Sequence, residues 1–333
     1  MYIPHKFFAV RHPQTLPPQT QNNILIFINN LYSYVLIIPY FNCADSFPHQ
    51  LKIFDQNLKI VTIEKKTFIP LVNYHSHTYR CKHAAGEVVE FVTAALKAGL
   101  KIFGVSDHCP FPDDRWLNVR MPYEELDDYV EAVLAAKSSV PQVRVLLGME
   151  CEYVKEYKNY LEDELLGKRQ FEYLIGAAHY TPHKGEWLNS FTDLDCTSHL
   201  KAYTEYLCHM MESKLFTFIA HPDIFGNSYL EWNKNLISCS RDILRTAEET
   251  QIPLEINGNG LRKEYLNSSV GLRPPYPWRP FWELATEFNI KVVCNSDCHN
   301  PNEVIAGISE NLSMADTLGL ELADLSYLHL LSK

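Results

Sequence analysis

From residue 68 onward the chain repeats one pattern: a short apolar run, a break, then a stretch with helical spacing. FIPLVNY (68–74), KIFGVS (101–106), VRVLLGMECEY (143–153), FEYLIGAAH (171–179), FTFIAH (216–221), PLEING (253–258) and IKVVCNS (290–296) read as seven strands. GEVVEFVTAALKAGL, EELDDYVEAVLAAKSS (124–139), SHLKAYTEYLCHMMESK (198–214), LISCSRDILRTAEETQ (236–251) and RPFWELATEFN (279–289) read as helices between them. The charged segment before residue 171 reads as another helix, and ADTLGLELADLSYLHLL as the last. Strands this short and apolar suit a parallel sheet covered on both faces, joined by right-handed crossovers. An open doubly wound sheet and a closed barrel both satisfy that pattern. No GxGxxG or Walker loop follows the first strand, so the expected fold is α/β, a seven-stranded (β/α) TIM-like barrel.

Composition narrows the setting. Among 333 residues, 46% hydrophobic content supports a sizeable core, and a net charge of −10 disfavours a broad nucleic-acid surface. Nine cysteines without a CxxC pair do not read as a disulfide framework, so a reducing, cytoplasmic location is expected. Residues 1–69 differ from the rest. All 13 glycines lie between Gly86 and Gly319, and six Lys/Arg against three Asp/Glu make the first 70 residues basic. ILIFINNLYSYVLIIPYF (Ile24 to Phe41) is nearly long enough to cross a bilayer, but Asn29, Asn30, Ser33 and Pro39 interrupt it. The region reads as an atypical extension: poorly folded, appended to the domain by packing, or a membrane anchor. Residues 70–333 form the domain that carries the chemistry.

That chemistry follows from where histidines and acids fall. Strand one runs into His75 and His77, with His83 just beyond. Strand two ends at Asp107 and His108, strand three reaches Glu150, strand four ends at His179 and strand five at His221. Strand seven ends at Asp297 and His299; strand six ends in Asn257-Gly258-Asn259-Gly260. In a parallel barrel all these ends open on the face that carries active sites. Seven of the 14 histidines sit there. His5, His12 and His49 fall in the extension, His199 and His209 on a helix, His329 near the C-terminus, and His183 in a loop as a candidate substrate contact. Histidine with carboxylate suits zinc, iron or manganese better than calcium or magnesium. At about three to five protein ligands each, the set fits two or three ions. Glu150 is able to bridge two ions, which an imidazole ordinarily is not.

The series HSH (75–77), SDH (106–108), GME (148–150), AAH (177–179), AHPD (220–223) and SDCH (296–299) resembles the polymerase and histidinol phosphatase superfamily, the PHP domain, over roughly residues 70 to 310. The resemblance implies a distorted seven-stranded barrel with a di- or trinuclear centre. It places His75, His77, Glu150 and Asp297 on a first metal, Glu150, His179 and His221 on a second, and His83, His108 and His299 on a third. Asp107 would orient a ligand or water. NGNGLRK (257–263) and YPWRPFWELA (276–285) resemble the histidinol-phosphatase branch. Arg262 then becomes the expected phosphate clamp. The segment after AHPD supplies no basic residue, which leaves Lys263, Arg279 and Arg120 as substitutes.

The expected reaction is hydrolysis of a small phosphate monoester, most specifically L-histidinol phosphate in histidine biosynthesis. Metal-activated water would attack phosphorus. Glu150, Asp297, His221 and Asp107 are the candidate catalytic groups, and no Ser or Cys nucleophile is required. Cys81 and Cys109 read as packing residues. A nucleotidase or exonuclease of the same superfamily, a non-catalytic metal-binding domain and an amidohydrolase are the rivals.

Overall fold

A computed structural model describes residues 72–329, together with four short strands nearer the N-terminus. The chain divides into two compact units, Met1–Ile69 and Pro70–Lys333. In the first, Ile24–Ile28, Val35–Pro39, Gln50–Phe54 and Ile60–Glu64 pair in sequence order as an antiparallel sheet. The apolar run 24–41 therefore contributes two strands, and among the described residues no helix is long and apolar enough to cross a membrane. The rest of residues 1–71, with His5, His12 and His49, lies outside the described residues.

In the second unit, β1 (Val72–Asn73), β2 (Ile102–Val105), β3 (Arg144–Cys151), β4 (Tyr173–Gly176), β5 (Phe218–Ile219), β6 (Leu254–Asn257), β7 (Lys291–Asn295) and β8 (Glu321–Leu322) form one parallel sheet in sequence order. The sheet curls until its seventh strand meets its first. Ser76 bridges in parallel to Cys298, and the His77 N–H donates to the Cys298 carbonyl at 2.9 Å. Two buried asparagines staple the same seam: Asn295 Oδ1 accepts from the Tyr74 N–H at 2.8 Å, and Asn73 Oδ1 from the Ser296 N–H at 3.2 Å.

The sheet has eight strands rather than the expected seven. β8 pairs with the start of β7, through Lys291–Glu321 and Val292–Leu322. It comes from the segment expected to be the final helix. That helix is instead α6 (Ile308–Leu318), which stops where Gly319 adopts a left-handed backbone at φ 69°.

Five helices precede it: α1 (Val88–Lys97), α2 (Leu126–Ser139), α3 (Thr197–Glu212), α4 (Lys234–Thr250) and α5 (Arg279–Ala285). The charged segment before residue 171 winds as a π-helix, Tyr160–Lys168. Two hairpins go beyond the sequence expectation: Tyr180–His183 with Glu186–Asn189, and Leu266–Ser268 with Gly271–Arg273. The first turns on Lys184 and Gly185, both at positive φ, as tight two-residue hairpin loops favour.

Alternation along the strands divides the core. Ile102, Leu146, Tyr173, Ile175, Phe218 and Val293 fill the lumen, while Phe103, Val105, Val145, Leu147, Leu174 and Val292 pack under the helices. Gly104 and Gly148 leave room for Tyr173: a Cβ at Gly104 would collide with its hydroxyl, and one at Gly148 with its ring. On β3 the lumen side continues from Leu146 through Gly148 to Glu150. An acid is thereby carried to the open end of the barrel.

Candidate metal centre

The C-terminal ends of the strands bring the nine expected residues into one cluster. His75 Nε2 lies 3.1 Å from His77 Nε2 and 3.2 Å from Glu150 Oε1. His77 Nε2 lies 3.1 Å from Asp297 Oδ1 and 3.4 Å from Glu150 Oε2. On the other side of Glu150, Oε1 is 3.1 Å from His221 Nε2 and 3.4 Å from His179 Nε2. At the outer edge His83 Nε2 and His299 Nε2 stand 3.1 Å apart, with His108 completing a third group. His108 also reaches inward, its Nδ1 2.9 Å from Glu150 Oε2, so it touches two groups where the resemblance gave it one.

Two of these residues need unusual backbone. Phe218 and Ala220 face the lumen, so strict alternation would turn His221 outward. Its φ of 30° breaks the alternation and re-aims the ring. Asp297 is held at φ 50°. Strained non-glycine backbone concentrates where a fold must place a functional group.

The donor set fits divalent transition metals. Two nitrogen or oxygen ligands about 2.0–2.1 Å from one tetrahedral ion stand roughly 3.3 Å apart. The separations in the cluster run from 2.9 to 3.6 Å. Buried polar atoms normally find hydrogen-bond partners. Here His77 Nδ1, His108 Nδ1, Glu150 Oε2, His221 Nδ1 and Asp297 Oδ1 have none. His108 Nδ1 and Glu150 Oε2 approach closely and still form no hydrogen bond, an arrangement suited to a shared cation.

The electrostatics agree. Burial opposes ionisation of Glu150, but His179, His75 and His108 outweigh it and hold the carboxyl well below its usual range. Burial likewise opposes the charge on Asp297, yet His75 and His77 keep it ionised. Burial, then neighbouring His299, lowers His83 to about 4; burial and His77 lower His299 to about 4. These two imidazoles are therefore neutral at pH 7, the form that binds a metal. His179 is raised to about 9, because Glu150 and then Glu152 overcome its burial.

The surrounding groups fix the candidate ligands. Glu255, buried on β6, faces His75 Nδ1 at 2.9 Å and accepts from Asn295 Nδ2, Asn257 Nδ2 and the His221 N–H. Strand six therefore does contribute a carboxylate, one that orients a histidine rather than facing the cleft. Glu152 does the same for His179, its Oε1 3.1 Å from Nδ1. A histidine whose second nitrogen meets a carboxylate is locked in tautomer and orientation. Neither acid was a candidate from sequence, although Glu255 inside an apolar strand and Glu152 two residues past Glu150 are readable signals.

The expected substrate contacts fare differently. Arg262 does not line the cleft: its guanidinium donates to the carbonyls of Gly258, Ser296, Asp297 and Ala306 and holds the loop. Arg279 pairs with Glu283 and lines a separate groove beside Pro280 and Met314. Arg120 lines the cleft above the cluster but is committed to Glu152 through two hydrogen bonds of 2.9 and 3.0 Å. Lys263 lines the same cleft, with Nζ 5.5 Å from the Phe191 ring centroid and no ion pair among the described residues. Asp107 is not in the cleft. It accepts from the Thr78 N–H and hydroxyl at 2.9 and 2.6 Å and so fixes the turn after His77. His183 packs edge-on against His199, on the hairpin. Cys109 and Cys81 are buried, and burial pushes the Cys81 thiol up.

The cleft has a volume of about 620 Å³, its open mouth included. Phe191, Tyr180, Asn189, Asn259 and Tyr276 form its walls above the cluster. The PHP domain profile matches residues 73–259, the span from β1 through the loop after β6. The chain belongs to the PHP domain family. A protein of Deinococcus radiodurans described as "probable histidinol-phosphatase" is 29% identical over 248 residues, 70% of this chain and 88% of that one. One of Schizosaccharomyces pombe with the same description is 22% identical over 257 residues, 70% of this chain and 82% of its own length. Among solved structures, HisK of Listeria monocytogenes aligns with a TM-score of 0.60 at 18% identity, over 72% of this chain and 99% of its own. Lactococcus lactis HisK, solved with zinc, L-histidinol and phosphate, aligns with a TM-score of 0.59 at 14% identity, over 78% and 98%. The structural likeness establishes that the barrel is that of PHP proteins, eighth strand notwithstanding.

Proposed function

We propose that this chain is a metal-dependent phosphatase that hydrolyses L-histidinol phosphate to L-histidinol and phosphate, a step of histidine biosynthesis. The observation that carries the reading is one cluster of nine donors, eight of which line a cleft sized for one small ester. The descriptions of the Deinococcus and Schizosaccharomyces relatives, and the histidinol and phosphate bound to the Lactococcus protein, supply the substrate. His75, His77, Glu150 and Asp297 would hold one ion, Glu150, His179 and His221 a second, and His83, His108 and His299 a third. Two or three zinc, iron or manganese ions would lower the pKa of water and neutralise phosphoryl charge.

The chain's own part is positional and electrostatic. Glu255 and Glu152 lock His75 and His179 in place. Lys263 offers an uncommitted ammonium to the phosphoryl oxygens. Phe191 and Tyr180 present apolar walls to the organic part of the ester and exclude water. A nuclease would want a basic track for a polynucleotide. Of the two cations lining this cleft, Arg120 is spent on Glu152. The eight described cysteines are all unpaired, which fits a cytoplasmic setting.

The test is a substrate panel. Protein loaded with manganese, iron or zinc is assayed for phosphate release from L-histidinol phosphate, nucleoside monophosphates and short oligonucleotides. The reading expects L-histidinol phosphate to give the highest kcat/KM. Preference for a nucleotide or an oligonucleotide end overturns the substrate, and release from none overturns the phosphatase.

A further inference from the structure

Two buried charged side chains have no part in the metal cluster, yet both serve one loop. Asp223, the last residue of AHPD, is buried; its Oδ2 accepts from the Trp278 N–H at 2.6 Å and from Trp282 Nε1 at 3.0 Å. Arg273 donates to the carbonyls of Gly226, Pro274 and Pro275, and its guanidinium stacks 3.7 Å from the Trp278 ring centroid. Burying an acid and a guanidinium is costly, and hydrogen bonds must offset that cost. What they fix is the main chain on both sides of Tyr276.

Tyr276 is the residue of that loop that lines the cleft. It is 1% exposed, and its ring centroid lies 5.8 Å from that of His221. Gly260 is its other support: a Cβ there would stand 2.0 Å from the Tyr276 carbonyl oxygen and 2.6 Å from Cδ2, so only glycine lets the turn after β6 close on it. Its hydroxyl makes no hydrogen bond among the described residues. A buried ring this firmly held in the cleft wall, whose O–H has no partner among the described residues, is arranged to meet a ligand oxygen.

The remaining cleft chemistry says which oxygen. Lys263 is the free cation and suits the doubly charged phosphoryl group. The leaving-group oxygen of an alkyl phosphate gains charge as its bond to phosphorus breaks, and a neutral donor beside it has most to give at that moment. We propose that Tyr276 donates its phenolic O–H to the leaving-group oxygen of the phosphate ester, with Asp223 and Arg273 as positioning residues for it. Water forms the new bond to phosphorus, and the ester P–O bond breaks with its electron pair going to the leaving oxygen. One proton of that water stays on the phosphate product and the other makes the alcohol. Tyr276 keeps its own proton throughout and lowers the barrier by hydrogen bonding. The role rests on the phosphatase reading.

The experiment is Tyr276→Phe, which keeps the ring and removes the hydroxyl, assayed on two substrates with manganese-loaded protein. With L-histidinol phosphate or another alkyl phosphate, whose alkoxide is a poor leaving group, kcat is expected to fall about 10- to 100-fold while KM changes less than about 2-fold. With p-nitrophenyl phosphate, whose phenolate leaves unaided, kcat is expected to fall less than about 3-fold. Equal losses on both substrates, or none on the alkyl ester, overturn the proposal. Metal content per chain separates a damaged cluster from a lost donor; a variant that loses metal and slows equally on both esters counts against it. As a second arm, Asp223→Asn should lower kcat on the alkyl ester more than on the aryl ester, and an equal fall on both opposes its positioning role. If wild-type protein hydrolyses other alkyl phosphates but not L-histidinol phosphate, the substrate assignment falls while the alkyl-to-aryl comparison still tests Tyr276.

Discussion

Replacing Arg120 with methionine keeps most of the side-chain volume and removes the charge that answers Glu152. The guanidinium is buried, as is the carboxylate it meets, and it donates to Oε2 at 2.9 Å, to Oε1 at 3.0 Å and to the Cys109 carbonyl at 2.7 Å. It also packs 4.8 Å from the Trp116 ring centroid. Removing one partner of a buried pair strands the other, at a cost of about 3–5 kcal/mol. Burial pushes the Glu152 carboxyl up, but Arg120 and then His179 hold it below its usual range. A depressed carboxylate contributes stability above its unfolded pKa of about 4.3, and the contribution is lost as pH falls. The gap between wild type and Arg120→Met should therefore be full near pH 7 and narrow toward acid pH, as Glu152 protonates in the variant while Arg120 still holds it ionised in the wild type. Guanidinium unfolding across that range, at fixed metal loading, measures it. The double change Arg120→Met with Glu152→Leu should recover most of the loss, because no charge is then stranded. A single variant within about 1 kcal/mol of wild type at pH 7, or a double variant as unstable as the single, refutes the reasoning.

Three other substitutions separate the roles assigned above. Glu255→Gln weakens the acceptor that orients His75, so metal affinity should fall about 10- to 100-fold, measured by competition with a chelator; unchanged affinity contradicts that role. Arg262→Ala should cost stability and leave KM for the phosphate ester within about 2-fold, since its guanidinium binds four carbonyls rather than the substrate; a raised KM with intact stability would restore it as a phosphate contact. Lys263→Ala should raise KM about 10-fold or more, and steady-state kinetics showing no change in KM or kcat would remove it from the site.

Strand and helix positions were legible because each carries its own period. α4 is an amphipathic repeat, and β3 a short, largely apolar run that reaches an acid. The clustering of the candidate metal ligands was legible because the strands end where imidazoles and acids begin, and a parallel barrel sends every such end to one face. The eighth strand was hidden inside GLEL, too short to show a period beside a helical neighbour. The hairpin at Tyr180 turns on Lys-Gly rather than Asn-Gly, so its signal was weak. Position along the chain does not tell which way a guanidinium turns, so the capture of Arg262 by the carbonyls of four separate residues has no sequence signal. Glu255 and Tyr276 act through partners distant in sequence: Glu255 answers His75, and the Tyr276 loop is held by Asp223 and closed on by Gly260. Such pairings exist only once the barrel has closed.

The central claim is that nine side chains from separate strand ends hold a cluster of cations. Crystals soaked in manganese, with anomalous difference maps collected at its absorption edge, address it directly. The account expects two or three peaks, one among His75, His77, Glu150 and Asp297, one beside His179 and His221, and a third by His83, His108 and His299. A map with no peak among these residues, or with its peaks elsewhere on the chain, would contradict it.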